Sequence, residues 1–416
     1  MRIVVAHNYY KQSGGEDRVF ADEVELLEAH GHWVEQFNAH NDTIKARPGF
    51  KVAWGTIWNR RAAGEMGRLF EGQRPHVAHF HNTFPLISPG AYYAARAAGA
   101  VVVQTLHNFR LVCPQAALFR DGAPCESCLG RTIPWPAVAH ACYRESRAAS
   151  AVVAAMLVAH RALGTWLRTV NVYIALTQFA RDKFIAGGLP ADRIVVKPNF
   201  VHPDPGAGCG EGGYVLFVGR LAPEKGVSTL VSAWRGQASR IPLVVVGDGP
   251  LAGEIRALAA TNPAVEWLGW RSPAEVEQLM GRASLLLLPS SWYEGLPKTA
   301  IESFAKGTPV VASRIGGLAE IVDDAHNGAL FEAGNSEDLA AKVCSLVESP
   351  EQLARLRRGA RAEFEAKYTA ARNYEMLVDI YRKALEASAE PGELGLKWDC
   401  PSEAAVVAPP ASGTGT

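Results

Sequence analysis

The sequence predicts an α/β protein of two doubly wound, Rossmann-like parallel-sheet domains facing each other across a cleft. Three observations carry that expectation. Short apolar runs of strand character alternate with helix-like runs along nearly the whole chain. A stretch rich in proline and glycine, "HPDPGAGCGEGG" (202–213), interrupts them near the middle. The alternation then resumes on its far side, with strands apolar enough to be buried on both faces.

The elements follow in order. "RIVVAH" (2–7) is a strand. Residues 18–30 place Val19, Phe20, Val24, Leu26 and Leu27 at roughly helical spacing, and Gly31 ends the run. Strands follow at 76–82, 100–108, 171–177 and 193–199, each closing in polar residues, and complete an N-terminal domain over 1–200. Residues 201–213 are the linker. Strands at 214–220, 242–249, 264–270, 284–290 and 308–317 build a C-terminal domain over 214–372. Helical sequence runs from Ser336 to about Ser388, and its last helix, 373–390, is expected to pack back on the N-terminal domain. From Pro391 the chain is polar, small and proline-rich, which predicts a disordered tail over 391–416. Two such domains bind a ligand between them, near the carboxyl ends of their strands.

A length of 416 residues suits two or three domains. The formal charge is zero, but residues 1–200 carry 22 Lys+Arg against 15 Asp+Glu, and residues 201–416 carry 20 against 27. The halves are therefore +7 and −7. A basic half suits phosphates, anionic lipid or an acidic partner half, and equally an ordinary solvated surface. The most apolar stretch, "AASAVVAAMLVAH" (148–160), is shorter than the ~20 residues a membrane span needs and reads as a buried or interfacial helix. "MRIVVAH" enters the first strand without a cleavage site. A cytoplasmic enzyme is expected, soluble or at the inner face of the membrane, with no nucleic-acid partner.

The chemistry concentrates in the second half. "FVGRLAPEKG" (217–226) leaves a strand, carries Arg220 and Lys225, and enters a helix. Two cations at a strand's carboxyl end suit a diphosphate, Arg through paired hydrogen bonds and Lys as a compact charge. Further on, "WYEGLPKTAIE" (292–302) follows the apolar run Leu285–Leu288. Pro297 suits the first turn of a helix, whose free N–H groups form a ready phosphate site. Glu294 precedes that helix and Glu302 lies more than one turn into it, so the two acids do not form a metal pair on one face. One ligand meets both by lying across the helix start. On spacing alone, a dipole-facing acid and an exposed helix acid also account for the pair.

E-x7-E after a buried strand, with G-R-x4-K-G upstream, resembles the retaining glycosyltransferases of family 4, which have the GT-B fold. The likeness extends over roughly 1–385. It takes in the glycine-rich "HNYYKQSGGEDRVF" (7–20), "NFVHP" at the linker and "SRIGGLAEIVDDAHNGALFEAGN" (313–335). The resemblance implies roles. Glu302 binds the ribose hydroxyls of a UDP- or GDP-sugar, and Glu294 holds hydroxyls of the donor sugar. Arg220 and Lys225 neutralise the diphosphate. Backbone groups of Gly295, Leu296, Pro297, Lys298 and Thr299 support sugar and phosphate. Gly14 and Gly15 let the first loop approach the diphosphate without a Cβ, and the segment holding Gly269 and Trp270 flanks the base. Ser303 follows the second glutamate where the family usually has Ala. No catalytic metal or other cofactor is expected, because cations and helix dipole take its place. Breaking the anomeric bond builds negative charge on the leaving oxygen and positive charge on the sugar, and preorganised donors favour the first. Family precedent implies front-face attack with retention, so neither glutamate is a conventional nucleophile or base.

In the N-terminal domain, "TLHNFRLVCP" (105–114) puts His107 at a strand end, where the family implies a histidine on the donor sugar and its phosphate. His79 and His81 are read as pointing to opposite faces, with His81 nearer the cleft. His81 and Arg110 are acceptor-side candidates. Four of the seven cysteines cluster: Cys113, Cys125, Cys128 and Cys142. "CESC" is a C-x2-C knuckle whose spacing suits a structural zinc, with Cys113 and Cys142 or His140 completing the set. Reduced thiols packed in a loop remain the alternative, and a cytoplasmic location argues against disulfides. The insertion, 113–142, resembles one found in a bacterial capsule and cell-wall branch of the family and is expected to shape the acceptor side. The expected acceptor is a saccharide or lipid-linked saccharide, with peripheral membrane association. A sugar-nucleotide epimerase on the same fold and a non-catalytic zinc-stabilised binding protein are the competing readings.

Overall fold

The computed structural model describes residues 1–11, 14–46 and 48–388. The tail expected from residue 391 lies outside them. The N-terminal domain holds β1 (Arg2–Tyr9), β2 (Trp33–His40), β3 (Val77–Phe80), β4 (Val101–Leu106), a small antiparallel pair β5 (Phe119–Arg120) and β6 (Ala123–Pro124), β7 (Val172–Ala175) and β8 (Ile194–Val196). Its main sheet is parallel, in the order β2-β1-β3-β4-β7-β8. The C-terminal domain holds β9 (Val215–Val218), β10 (Leu243–Val246), β11 (Val265–Gly269), β12 (Leu285–Leu288), β13 (Val310–Ser313) and β14 (Gly328–Phe331), also parallel, in the order β11-β10-β9-β12-β13-β14.

Both sheets are sandwiched by helices, so their inner strands are buried on both faces. "LLLL" of β12 is wholly inside, and Leu285 and Leu287 pack in one core while Leu286 and Leu288 pack in another. The alternation follows from the two-residue period of a strand. In the N-terminal domain Val4, Ala6 and Val102 face one core, and Ile3, Val5 and Val103 the other. The second core is closed by the last helix, Ala370–Ser388, whose Leu377, Ile380 and Tyr381 lie against the first sheet. That helix begins at Ala370, three residues before the expected 373.

The strand orders decide where a ligand can sit. In each sheet the chain builds outward on one side and then crosses to the other. The reversal falls between β1 and β3 in the first sheet and between β9 and β12 in the second. At a reversal the flanking loops diverge and leave a crevice at the carboxyl ends of the strands.

Candidate active site

The two crevices face each other. Gly15 starts the helix Gly15–Ala29 after β1, and a Cβ placed on it would stand 3.7 Å from Lys298 Cβ on the other domain. The His107 carbonyl after β4 lies 3.8 Å from the Cβ position of Gly295. Lys298 Nζ is hydrogen-bonded to Asp22, and Arg18 pairs with the same carboxylate at 2.7 Å. Farther out, Tyr293 donates to Glu126 at 2.8 Å, and Glu320 accepts from the Gln178 and Phe179 amides.

On the C-terminal side, the loop after β9 turns through a short 3-10 segment, Pro223–Lys225. Gly226 then takes φ +70, and a Cβ there would fall 1.7 Å from the Pro289 carbonyl. Only glycine permits that approach. It seats Lys225 beside the β12 loop, where its Nζ donates to Glu294 Oε1 at 2.7 Å and lies 5.1 Å from the Trp292 ring. Ser290 Oγ donates to the same oxygen at 2.8 Å. Burial pushes the Glu294 carboxyl up, but the Lys225 charge and these hydrogen bonds outweigh it and hold it below the usual range. Arg220 is largely exposed and paired with Glu224. The β13 loop covers the far side: Gly317 N–H donates to the Glu294 carbonyl at 3.0 Å, and a Cβ on Gly317 would meet the Gly295 carbonyl at 2.0 Å.

The helix after Glu294 spans Lys298–Ala305. Pro297 is its cap rather than its first residue, with ψ 125, so Lys298 opens the first turn. The Lys298 and Thr299 amides open the helix, where no preceding turn supplies intrahelical acceptors. Glu302 is half-buried one turn on, and burial raises its carboxyl above the ordinary value despite Lys298 nearby. Gly269, at φ +68, ends β11, and Trp270 beyond it is 72% exposed.

On the N-terminal side, Gly14 is extended, at φ −125, and caps the helix that Gly15 begins. The glycines therefore belong to a helix start rather than to an open loop. Asp17 accepts from the Gly14 amide at 3.1 Å and contacts His7 Nε2 at 2.7 Å, fixing that start on β1. The positive ends of two helices, at Gly15 and Lys298, thus meet across the cleft, an arrangement suited to an anion.

His107 stacks on His81, with Nε2 2.9 Å from His81 Nδ1. Burial, then the neighbouring histidines, hold His107 well below its ordinary pKa, so it is neutral. His81 does not look into the cleft. It is 3% exposed, lies behind His107, and is pushed down to about 3 by burial first and His79 second. Nor do His79 and His81 point apart. Residues two apart on a strand share a face, and both approach Glu23 Oε1, at 3.0 and 3.2 Å. Lys197 Nζ donates to the other Glu23 oxygen at 3.1 Å and to Asn373 at 3.1 Å. Arg110 is sandwiched, its guanidinium 4.3 Å from the Phe84 ring centroid and 5.0 Å from that of Tyr143.

Sequence reading passed over Glu16. Its Oε2 accepts from Tyr10 at 3.2 Å and Asn108 at 3.4 Å, while Oε1 is buried without a partner among the described residues. Burial and the Asp17 charge raise it to about 7. "GGED" after a strand, an acidic first turn behind glycines, is the pattern that marks it.

The cysteines line one small cavity in the insertion and are all free thiols. They are not drawn into a ligand set. Among the described residues the side chains whose ligand atoms lie within 4.8 Å of one another are Glu23, His79 and His81. Thiolates around zinc stand about 3.8 Å apart, from Zn–S bonds of about 2.3 Å.

Two parallel-sheet domains with facing helix starts and an Arg/Lys/Glu cluster define a GT-B protein. Residues 9–205 match the family model "Glycosyltransferase Family 4", and residues 210–363 match "Glycosyl transferases group 1". Each domain is thus matched by its own glycosyltransferase family model, on a fold of the GT-B type. An uncharacterized glycosyltransferase of Methanocaldococcus jannaschii is 35% identical over 197 residues, 47% of this chain and 54% of that protein. The amylovoran biosynthesis glycosyltransferase AmsK of Erwinia amylovora is 25% identical over 51% of this chain and 56% of its own. The chain spans about half the length of the curated relatives it matches. Among solved structures, HepE of Anabaena in complex with UDP superposes with TM-score 0.65 at 19% identity, covering 92% of this chain and 100% of that one. A glycosyltransferase of Rickettsia africae gives 0.68 at 15% identity, covering 92% and 98%. At those identities the likeness is one of fold.

Proposed function

We propose that this protein moves a sugar, with retention, from a UDP- or GDP-sugar to a hydroxyl of a saccharide or lipid-linked saccharide acceptor. The observation that carries the reading is the Lys225–Glu294 pair beside the free amides of Lys298 and Thr299, opposite the helix start at Gly15. That arrangement can take the developing diphosphate charge from two sides, with Arg220 free to swing from Glu224, and no metal is assigned to the step. Glu294 offers its carboxylate to sugar hydroxyls and Glu302 to a ribose diol. His107, neutral at the strand end, suits a hydrogen bond to sugar or phosphate.

HepE supports the donor class, because it has been seen with UDP and with UDP-glucose. In this reading the protein serves bacterial surface-polysaccharide or glycoconjugate assembly at the inner face of the membrane, and AmsK, a glycosyltransferase of amylovoran biosynthesis, supports a biosynthetic role. The reading takes membrane association as peripheral; among the described residues no helix is long and apolar enough to cross a membrane. A thermal-shift panel of nucleotide sugars tests the donor assignment, since a ligand of the folded state raises the melting temperature by mass action. UDP- or GDP-sugars should shift it and adenosine sugars should not. No shift with either class would sink the proposal.

For the insertion we propose a structural zinc held by Cys113, Cys125, Cys128 and Cys142. Its support is that thiols from separate stretches line one cavity; the sulfurs must still close on the ion.

A further inference from the structure

We propose that an apolar groove in the N-terminal domain holds the hydrocarbon chain of the acceptor, so that the acceptor is an isoprenyl- or acyl-phosphate-linked molecule rather than a free saccharide. The inference deepens the transferase reading above and rests on it.

The groove, about 340 Å³, lies between the helix Gly49–Ile57 and the apolar helix Arg147–Ala162. Val52, Ala53, Ala149, Val152 and Val153 make its walls. Its buried hydroxyl, Thr56, is already spent on the Val52 carbonyl at 2.8 Å. The walls therefore offer an occupant contact but little hydrogen bonding, which suits a hydrocarbon. The first helix is held at its C-terminal end: His160 Nε2 lies 2.8 Å from the Ile57 carbonyl, and Trp58 stacks on His160. Its other end opens at Phe50, 65% exposed, with Trp54, 71% exposed, one turn on and Lys51 between. Aromatic side chains with a lysine on an exposed helix suit a lipid–water boundary.

Charge and continuity name the kind of occupant. The inner end is walled by Phe84 and Tyr143. Arg144, also at the groove, lies 5.4 Å from the Tyr143 ring. The Arg110 guanidinium is stacked on the same two rings, and its charge acts on Glu16 and Tyr10. An amphiphile with its chain toward Phe50 thus brings an anionic link to Arg144 and Arg110, and the group beyond that link to the cleft. Neither a free saccharide nor a polar peptide uses the apolar half.

The test uses the full chain with farnesyl phosphate, farnesol and inorganic phosphate as probes in calorimetric titrations, and UDP as a second ligand. Farnesyl phosphate should bind at least about tenfold more tightly than either other probe. Ala149→Trp, which fills the groove, should weaken it about tenfold or more. Phe50→Ala, at an exposed position where folding is not at stake, should weaken it about threefold. Arg144→Gln should narrow the gap between farnesyl phosphate and farnesol. UDP binding should survive in every variant. The proposal fails if farnesyl phosphate binds no better than phosphate, if Ala149→Trp binds it as well as the parent does, or if size-exclusion chromatography shows a second copy covering the groove. Binding of neither UDP nor GDP by the parent protein, with farnesyl phosphate still bound, overturns the donor reading and leaves the groove standing.

Discussion

Lys225 Nζ stands 2.7 Å from Glu294 Oε1, although the two residues are 69 positions apart in the chain. The sheet order brings them together, because β9 and β12 are neighbours at the point where the chain reverses. The buried carboxylate thus has one cation and one hydroxyl on a single oxygen.

Removing the cation by Lys225→Met should cost about 1–3 kcal/mol at neutral pH, the penalty for a buried charge left with weaker partners. The sign with pH follows from the lowered Glu294 carboxyl. Stability from a depressed carboxylate is present above its unfolded value and lost as pH falls through the folded one. Urea midpoints of parent and variant should therefore converge toward acid. A gap unchanged from pH 7 to pH 3 would show that Lys225 does not act through Glu294.

Among the described residues the Glu302 carboxylate makes no hydrogen bond or ion pair, and burial raises it. A diol that donates to it relieves that state. Glu302→Ala should weaken UDP binding by about tenfold to a hundredfold, as expected for hydrogen bonds to a charged group. It should leave 2′,3′-dideoxy-UDP binding nearly unchanged. UDP affinity of the parent should fall as acid protonates Glu302. Equal losses for both nucleotides would remove Glu302 from the ribose.

What the sequence disclosed divides along physical lines. Apolar strands such as "LLLL" and "LVVV" stand out because both faces are buried. The edge strand β2, "WVEQFNAH", did not stand out, since half of it faces water and its composition is polar. Strand β14 is four residues beginning at a glycine. Glu294 and Lys225 were legible because loop motifs mark strand ends. Glu23, Lys197 and Asn373 were not. Their meeting is set by the last helix packing on the first sheet, 176 residues from Lys197 to Asn373 no farther than 3.1 Å in space, and no local pattern records that. The shared face of His79 and His81, by contrast, follows from strand period alone.

Lys197 and Glu23 are 2% and 1% exposed, so the pair has little solvent to fall back on. Burial pushes Glu23 up, but the Lys197 and His79 charges hold it well below the carboxylate range. Lys197→Met strands the carboxylate and should cost about 3–5 kcal/mol in chemical denaturation. Adding Glu23→Gln should recover a substantial part, because the stranded charge is gone. If the double variant is no more stable than the single one, the lysine acts through packing and not through charge.

Protein purified without chelator should carry about one zinc per chain, counted by elemental analysis, if the four thiols close on a metal as proposed. Cys125→Ser with Cys128→Ser should lose it and lower the melting temperature, while UDP still binds. Zinc-free protein with the parent's melting temperature would make the cluster a set of packed thiols.

Glu16 runs against Glu294 and Glu23, whose carboxyls are lowered. Burial and Asp17 raise it to about 7, so between the ordinary carboxylate value and pH 7 the folded state holds a proton that the unfolded state has released. Stability then falls as pH rises through that window. Glu16→Gln keeps the shape and the hydrogen bond from Tyr10 or Asn108 without the charge. It should be nearly neutral at pH 5 and stabilising at pH 8, by about 1–2 kcal/mol once the residue's half-exposure is allowed for. Melting curves at the two pH values decide it: an equal shift at both would mean that the side chain's charge is not what the fold resists. The same variant reports on function. Glu16 sits in the first turn of the helix whose positive end faces Lys298, so its ionisation opposes an incoming diphosphate. UDP affinity should drop from pH 6 to pH 8 in the parent and hold level in Glu16→Gln.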